Sequence, residues 1–192
     1  MSKRIALLSA VAFSALAITA SVVAPASAQD KMKSEMSGEK TVMVGGAAMF
    51  PSKNIIQNAV NSKDHTTLVA AVKAAGLVTT LEGKGPFTVF APTNAAFGKL
   101  PAGTVDTLVK PENKATLTKI LTYHVVAGKL EASDLTDGKK LKTVQGETLT
   151  VKRSCNTVMI IDAKGDSSTV TIPNVNQSNG VIHVVDTVLM PS

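Results

Sequence analysis

The chain has 192 residues, 44% of them hydrophobic and 18% charged, with a net charge of +6, one cysteine, one tyrosine and no tryptophan. That length suits one domain with a sizeable core, burying roughly 70% of its unfolded surface. Beyond the first thirty residues the only adjacent basic pairs are Lys139-Lys140 and Lys152-Arg153, and no basic stripe interleaves with aromatics, which argues against a nucleic-acid partner. The mild positive charge allows weak attraction to an anionic surface or polysaccharide.

Residues 1–28 read as a secretory signal peptide. Lys3 and Arg4 form a positive start, Ile5 to Ala24 is uncharged and apolar, and Ala26-Ser27-Ala28 is a small-x-small cleavage site. The apolar run is also about long enough to be an uncleaved anchor, but the Ala and Ser content and the triplet favour removal. Export leaves Gln29–Ser192, 164 residues with a net charge of +4. No second run could span a bilayer, so the expectation is a secreted or periplasmic protein, or one held at the cell surface, with no stable membrane insertion. A single cysteine excludes an internal disulfide. Cys155 follows a strand-like run and is expected as a half-buried, inert thiol, with intermolecular pairing as the other reading.

Residues 29–48 are expected to be a flexible lead-in, polar at first and interrupted by Gly45-Gly46. The domain proper is expected over 49–192. Pro51 and Ser52 start a short helix to Val60, with Ile55, Ile56, Ala59 and Val60 on one stripe. Asp64 caps a second helix to Ala75, buried through Leu68, Val69, Val72 and Ala75 and stopped by Gly76. Leu77 to Leu81 adds a helical turn. Phe87-Thr88-Val89-Phe90 is a strand ended by Ala91-Pro92, because proline lacks the N–H a ladder needs. Thr93 or Asn94 caps the helix that carries Ala95, Ala96 and Phe97. Thr104 to Val109 is a short helix. Pro111 opens the next, with Leu117, Ile120 and Leu121 at i, i+3, i+4. Tyr123-His124-Val125-Val126 reads as a strand, and Leu130 to Leu135 as one helical turn. From Lys139 the period is near two, with strands around Leu141, Leu149–Val151, Val158–Ile161, Val170–Ile172 and Val181–Leu189. Helices first and an antiparallel β region after them make an α+β fold.

No catalytic constellation stands out. His65, His124 and His183 share no metal-ligand spacing, and there is no nucleophile elbow, phosphate loop or Cys-His signature. His124 and His183 each stand between apolar residues, as satisfied, partly buried histidines do. Neither a cofactor nor a metal is implied. Met32, Met36, Met43 and Met49 are soft ligands for Cu(I) in principle, but their spacing is loose.

Three stretches carry a resemblance. Thr88-Val89-Phe90-Ala91-Pro92-Thr93-Asn94-Ala95-Ala96-Phe97 resembles the N-terminal motif of the fasciclin (FAS1) family. Tyr123-His124-Val125-Val126 is similar to its central Tyr-His motif, and Asn179-Gly180-Val181-Ile182-His183-Val184-Val185-Asp186 to its C-terminal one. Together they span about Asn54 to Ser192, and resemble small secreted single-domain bacterial members. The resemblance implies a β-wedge of about seven strands, with helices, mainly from the N-terminal half, packed along one side. It implies a non-enzymatic extracellular interaction role. Phe90, Pro92, Thr93, Asn94, Phe97 and His183 match as structural motif residues, and Tyr123 and His124 match a motif linked to cell binding in animal members. Those members also carry an Asp-Ile pair linked to integrin binding. Asn174-Val175 stands in the comparable place here, which puts that activity in doubt.

The expected function is therefore an exported adhesion or interaction module with an extracellular protein or polysaccharide partner. The alternative is an exported protein holding a small apolar ligand in a cleft between the helices and the wedge, beside Ala70, Ala71, Ala74 and Ala75. A third reading gives Cys155 or the Met-bearing tail a redox or metal role.

Overall fold

The computed structural model describes residues 40–192. The expected signal peptide, Met32 and Met36 lie outside the described residues.

The described chain opens with a hairpin, not a flexible lead-in. Strands β1 (Val42–Val44) and β2 (Ala47–Met49) pair antiparallel, with Val44 opposite Ala47. The Gly45-Gly46 turn holds φ of 58° and 76°, the two positive values that a tight right-twisted hairpin requires. Val44 and Met49 are buried in the core, so the domain begins before the expected boundary at 49. The hairpin tip rests on the 62–64 segment: the Lys63 N–H donates to the Gly45 carbonyl at 3.2 Å.

Six short helices follow. Helix α1 (Ile55–Ala59) starts later than expected, because Asn54 accepts from the Gln57 N–H while the Gln57 side chain accepts from the Asn54 N–H, a reciprocal cap that sets the boundary. Asp64 does not cap the second helix. It lies in a 3-10 turn (Lys63–His65) that leads into α2 (Thr66–Ala75). Gly76 ends α2 at φ 73°, as expected of a left-handed stop. Then come α3 (Val78–Glu82), α4 (Asn94–Gly98), α5 (Thr104–Leu108), a 3-10 turn (Pro111–Asn113) and α6 (Lys114–Tyr123). Leu130 to Leu135 makes a hydrogen-bonded turn, not a helix.

Seven strands form the main sheet: β3 (Phe87–Pro92), β4 (Val125–Ala127), β5 (Lys140–Lys142), β6 (Thr148–Ser154), β7 (Thr157–Ile161), β8 (Ser167–Gln177) and β9 (Gly180–Val185), in the order β4-β3-β9-β8-β7-β6-β5. The seven-stranded wedge is as expected. Its β region is not wholly antiparallel: β3 and β9 run parallel, Phe87 opposite Gly180 through Pro92 opposite Val185. The long strand β8 shifts register between Val170 and Ile172 and again before Val175, and such bulges bend a sheet. A single bridge from Val126 to Thr143 brings the two ends of the sheet almost together.

Alternation along β3 and β9 divides the core in two. Val89, Ala91, Ile182 and Val184 face the helices and pack with Leu68, Val72, Leu117 and Leu121. Phe90 and Val185 face into the wedge with Tyr123, Leu149, Val151 and Ile160. Strands covered on both faces read as near-continuous apolar runs, which is what Phe87–Phe90 and Val181–Val185 are.

Candidate functional site

The Tyr-His motif sits at a helix end, not in a strand. Helix α6 runs through Tyr123, and His124 caps it: its N–H reaches the Ile120 and Leu121 carbonyls at 3.3 and 3.1 Å. The His124 ring uses the same terminus. Its Nδ1 lies 2.9 Å from the Ile120 carbonyl, and its Nε2 accepts from the Leu189 N–H at 3.0 Å. A neutral imidazole has one donor and one acceptor, so this arrangement puts the proton on Nδ1. Burial pushes the His124 pKa down to about 4, against the opposing pull of the Ile120 carbonyl and the Asp162 carboxylate.

Tyr123 is 0% exposed, and its hydroxyl accepts from the Ala163 N–H at 2.8 Å. Burial pushes its pKa up. Next to it, Asp162 accepts from the Lys164 and Asp166 N–H groups through Oδ1 and from the Met190 N–H through Oδ2. The motif thus ties the end of α6, the 162–166 turn and the 189–190 segment together. The resemblance implies a binding role for Tyr123 and His124, but neither presents an accessible surface to a partner.

The first and third motifs meet across the parallel pair. Phe90 stacks on His183 at 5.7 Å between ring centroids and 26° between planes. His183 Nδ1 accepts from the Asn174 N–H at 3.4 Å, and Nε2 lies 2.8 Å from the Leu130 carbonyl, so its proton belongs on Nε2. Burial lowers its pKa too. Pro92 is the last residue of the ladder, after which the Thr93 N–H donates to the Val185 carbonyl. Thr93 is the N-cap of α4, accepting from the Ala96 N–H at 3.2 Å. Asn94 serves a different helix: its Oδ1 accepts from the Thr67 N–H at the start of α2, and its Nδ2 donates to Lys63 O and Thr66 Oγ1. Phe97 packs on the helical side, away from Phe90 and Tyr123.

Asn174-Val175 lies at the second bulge of β8. Asn174 has φ 56° and accepts from the Ala132 N–H at 2.7 Å, while Val175 is buried. With the Thr88 hydroxyl, which donates to the Gly128 carbonyl and accepts from the Leu130 N–H, these residues pin the 128–132 loop to the sheet.

Two residues matter more than the sequence patterns indicate. Asn179 accepts from the Ile55 N–H and donates to the Leu81 and Gly83 carbonyls, joining α1, α3 and the β8–β9 turn. His65 is 3% exposed, its Nδ1 is 2.9 Å from Ser62 Oγ, and burial lowers its pKa. Ser62 and His65 are both buried, under a hairpin tip so close that a side chain at Gly45 would strike Ser62 Oγ. This hydroxyl–imidazole pair therefore lies beneath the surface of the domain, with the ring in the core.

Cys155 is exposed at φ 50° in the β6–β7 turn, not half-buried as expected. Met43 is exposed and Met49 buried on opposite faces of the hairpin, so the structure does not bring them together. Among the described residues no group of three or more His, Cys, Asp or Glu side chains could hold a metal ion. No helix among them is long and apolar enough to cross a membrane.

An apolar cavity of about 70 Å³ lies between the helices and the sheet. Ala70 and Ala74 face solvent, and Ala71 and Ala75 pack in the core. The small residues in the cavity wall are instead Ala59 and Ala91.

A sequence model described as the Fasciclin domain matches residues 63–191. The chain is 48% identical over 153 residues to Protein sll1483 of Synechocystis sp., covering 80% of this chain and 82% of that protein. It is 41% identical over 138 residues to Immunogenic protein MPB70 of Mycobacterium bovis, covering 69% and 66%. It is 40% identical over 153 residues to Cell surface glycolipoprotein MPB83 of Mycobacterium bovis, covering 77% and 64%. Among solved structures, the FAS1 domain pair of the insect cell adhesion molecule Fasciclin I matches with a TM-score of 0.65 at 19% identity, over 73% of this chain and 52% of that one. This chain thus spans about half the length of that domain pair, and at such identity the likeness concerns fold alone. The domain match and the bacterial relatives agree with the architecture and the three motifs, and the chain belongs to the fasciclin domain family.

Proposed function

We propose that the chain is an exported, non-enzymatic interaction module that offers the outside of one fasciclin domain to an extracellular protein or polysaccharide. The observation that carries this reading is the inward use of the motif side chains. Tyr123, His124 and His183 spend their polar atoms on backbone groups inside the domain. Asn94 and Asn179 spend theirs on helix ends. Groups engaged in this way hold a scaffold, and contact with a partner falls to its exterior. The relative MPB83 is described as a cell surface protein and Fasciclin I as a cell adhesion molecule, which supports a secreted, periplasmic or cell-surface location.

The test is direct. Residues 29–192 are produced without the leader, labelled, and titrated onto whole cells, immobilised matrix proteins and a glycan array. Saturable binding to one of these is expected. Its absence from all three overturns the reading.

A further inference from the structure

The cavity between α1, α2 and the sheet has a composition that selects a ligand. No Asp, Glu, Lys or Arg side chain lines it. Its wall is formed by Ile55, Ile56, Val72, Val89, Ile182 and Val184 among others, with His65 as part of it. The other polar groups of the buried wall are already engaged: the Thr122 hydroxyl donates to the Thr118 carbonyl, and both His124 nitrogens are bonded. His65 Nε2 is buried and has no hydrogen-bond partner, although the Ala91 carbonyl lies near enough to favour the charged ring. Buried polar atoms are seldom left in this state. A water wants two to four polar partners, and this wall has one nitrogen to spare.

Size narrows the class further. One water fills roughly 10–15 Å³ of such space, so 70 Å³ has room for about five to seven non-hydrogen atoms. Val144 is 47% exposed and Thr80 is exposed, yet both belong to the wall, which marks where the cavity meets solvent. We propose that this cavity is a binding site for a small, uncharged, mostly apolar molecule with one hydroxyl or carbonyl oxygen, which hydrogen-bonds to His65 Nε2. The site is internal, and so does not depend on the surface interaction proposed above.

The probes are 1-pentanol, hexane and pentanoate, titrated into residues 29–192 at pH 7 and followed by the NMR shifts of the Ile182 and Val184 methyl groups. Pentanol and hexane should give saturable shifts, and pentanoate none at the same concentrations. Ala59→Leu fills the cavity from a helix position that favours leucine, and should abolish both responses in a folded protein. His65→Phe should weaken pentanol by roughly two- to tenfold, the worth of one hydrogen bond, and leave hexane unchanged. No saturable shift in the unmodified protein overturns the proposal, as does unaltered binding in Ala59→Leu. Equal weakening of pentanol and hexane in His65→Phe overturns the hydrogen-bonding role of His65. Because Ala59→Leu tests the cavity alone, the proposal stays exposed to refutation even if His65→Phe does not fold.

Discussion

Replacing His124 by alanine tests whether the Tyr-His motif is scaffold or contact surface. The substitution deletes a buried ring and leaves a cavity among Leu121, Val125 and Leu189. It also leaves the Leu189 N–H buried without its acceptor. Loss of a large buried side chain and one unpaired donor together cost about 3–5 kcal/mol. For a domain of this size that lowers Tm by roughly 6–20 °C. The pH dependence adds a second signature. The folded pKa of His124 is about 4 against an ordinary value of 6.5. Between those values the unfolded chain binds more protons than the folded one, so stability rises with pH. The contribution is complete above about pH 6.5 and is lost as pH falls toward 4, a change of about 3 kcal/mol. His65 and His183 shift the same way, but both remain in the variant and cancel in the difference. Urea unfolding of both proteins at pH 7 and pH 4.5 should therefore show a wide stability gap that narrows on acidification. A Tm change under about 3 °C, or a gap that is the same at both pH values, refutes the structural account. So does unchanged melting combined with lost partner binding.

Four further substitutions or treatments probe other parts of the scaffold. Tyr123→Phe leaves the Ala163 N–H unpaired and should cost about 1–3 kcal/mol in urea unfolding, with the fold retained. Asn179→Ala removes hydrogen bonds to Ile55, Leu81 and Gly83 at once. It should destabilise by about 2–4 kcal/mol and raise amide exchange in α1 and α3 before the sheet. A Cβ at Gly180 would lie 2.1 Å from the Phe87 carbonyl oxygen, so Gly180→Ala should force β3 and β9 apart and give little folded protein by near-UV circular dichroism. Cys155 is exposed, so a thiol reagent should label the native protein at the rate of a free thiol, without denaturant.

Much of this architecture is legible in the residues, and the gaps have physical causes. The continuous apolar runs Phe87–Phe90 and Val181–Val185 mark central strands, but a period of two is silent on which strand lies alongside and in which direction. The parallel pairing of β3 with β9 is therefore invisible locally. The Gly45-Gly46 pair between Val42–Val44 and Ala47–Met49 does carry a hairpin signal, hidden by reading the segment as an extension of a polar tail. Asp64 has the chemistry of a cap. The cap on α2 is nevertheless supplied by Asn94 from across the fold, and no sequence window contains both. The same holds for Asn179, which looks like a turn residue and acts as a junction between distant helices. His124 looked like a strand residue because apolar neighbours surround it. Its place as a helix cap follows from the Ile120 carbonyl one turn back, which competes with the β preference of Val125 and Val126. The candidate cavity site was the least legible part, since its wall comes from both halves of the chain.

The parallel alignment of β3 and β9 bears on how the domain is made. Residue 87 meets residue 180 inside the sheet, so the chain must close a loop of more than half the described residues before this parallel ladder exists. Long-range closure of that kind slows folding. A ribosome-bound chain lacking β9 would leave an open ladder edge on β3, a state that invites holding by chaperones. For this protein the commitment step of folding belongs after synthesis of residues 180–185.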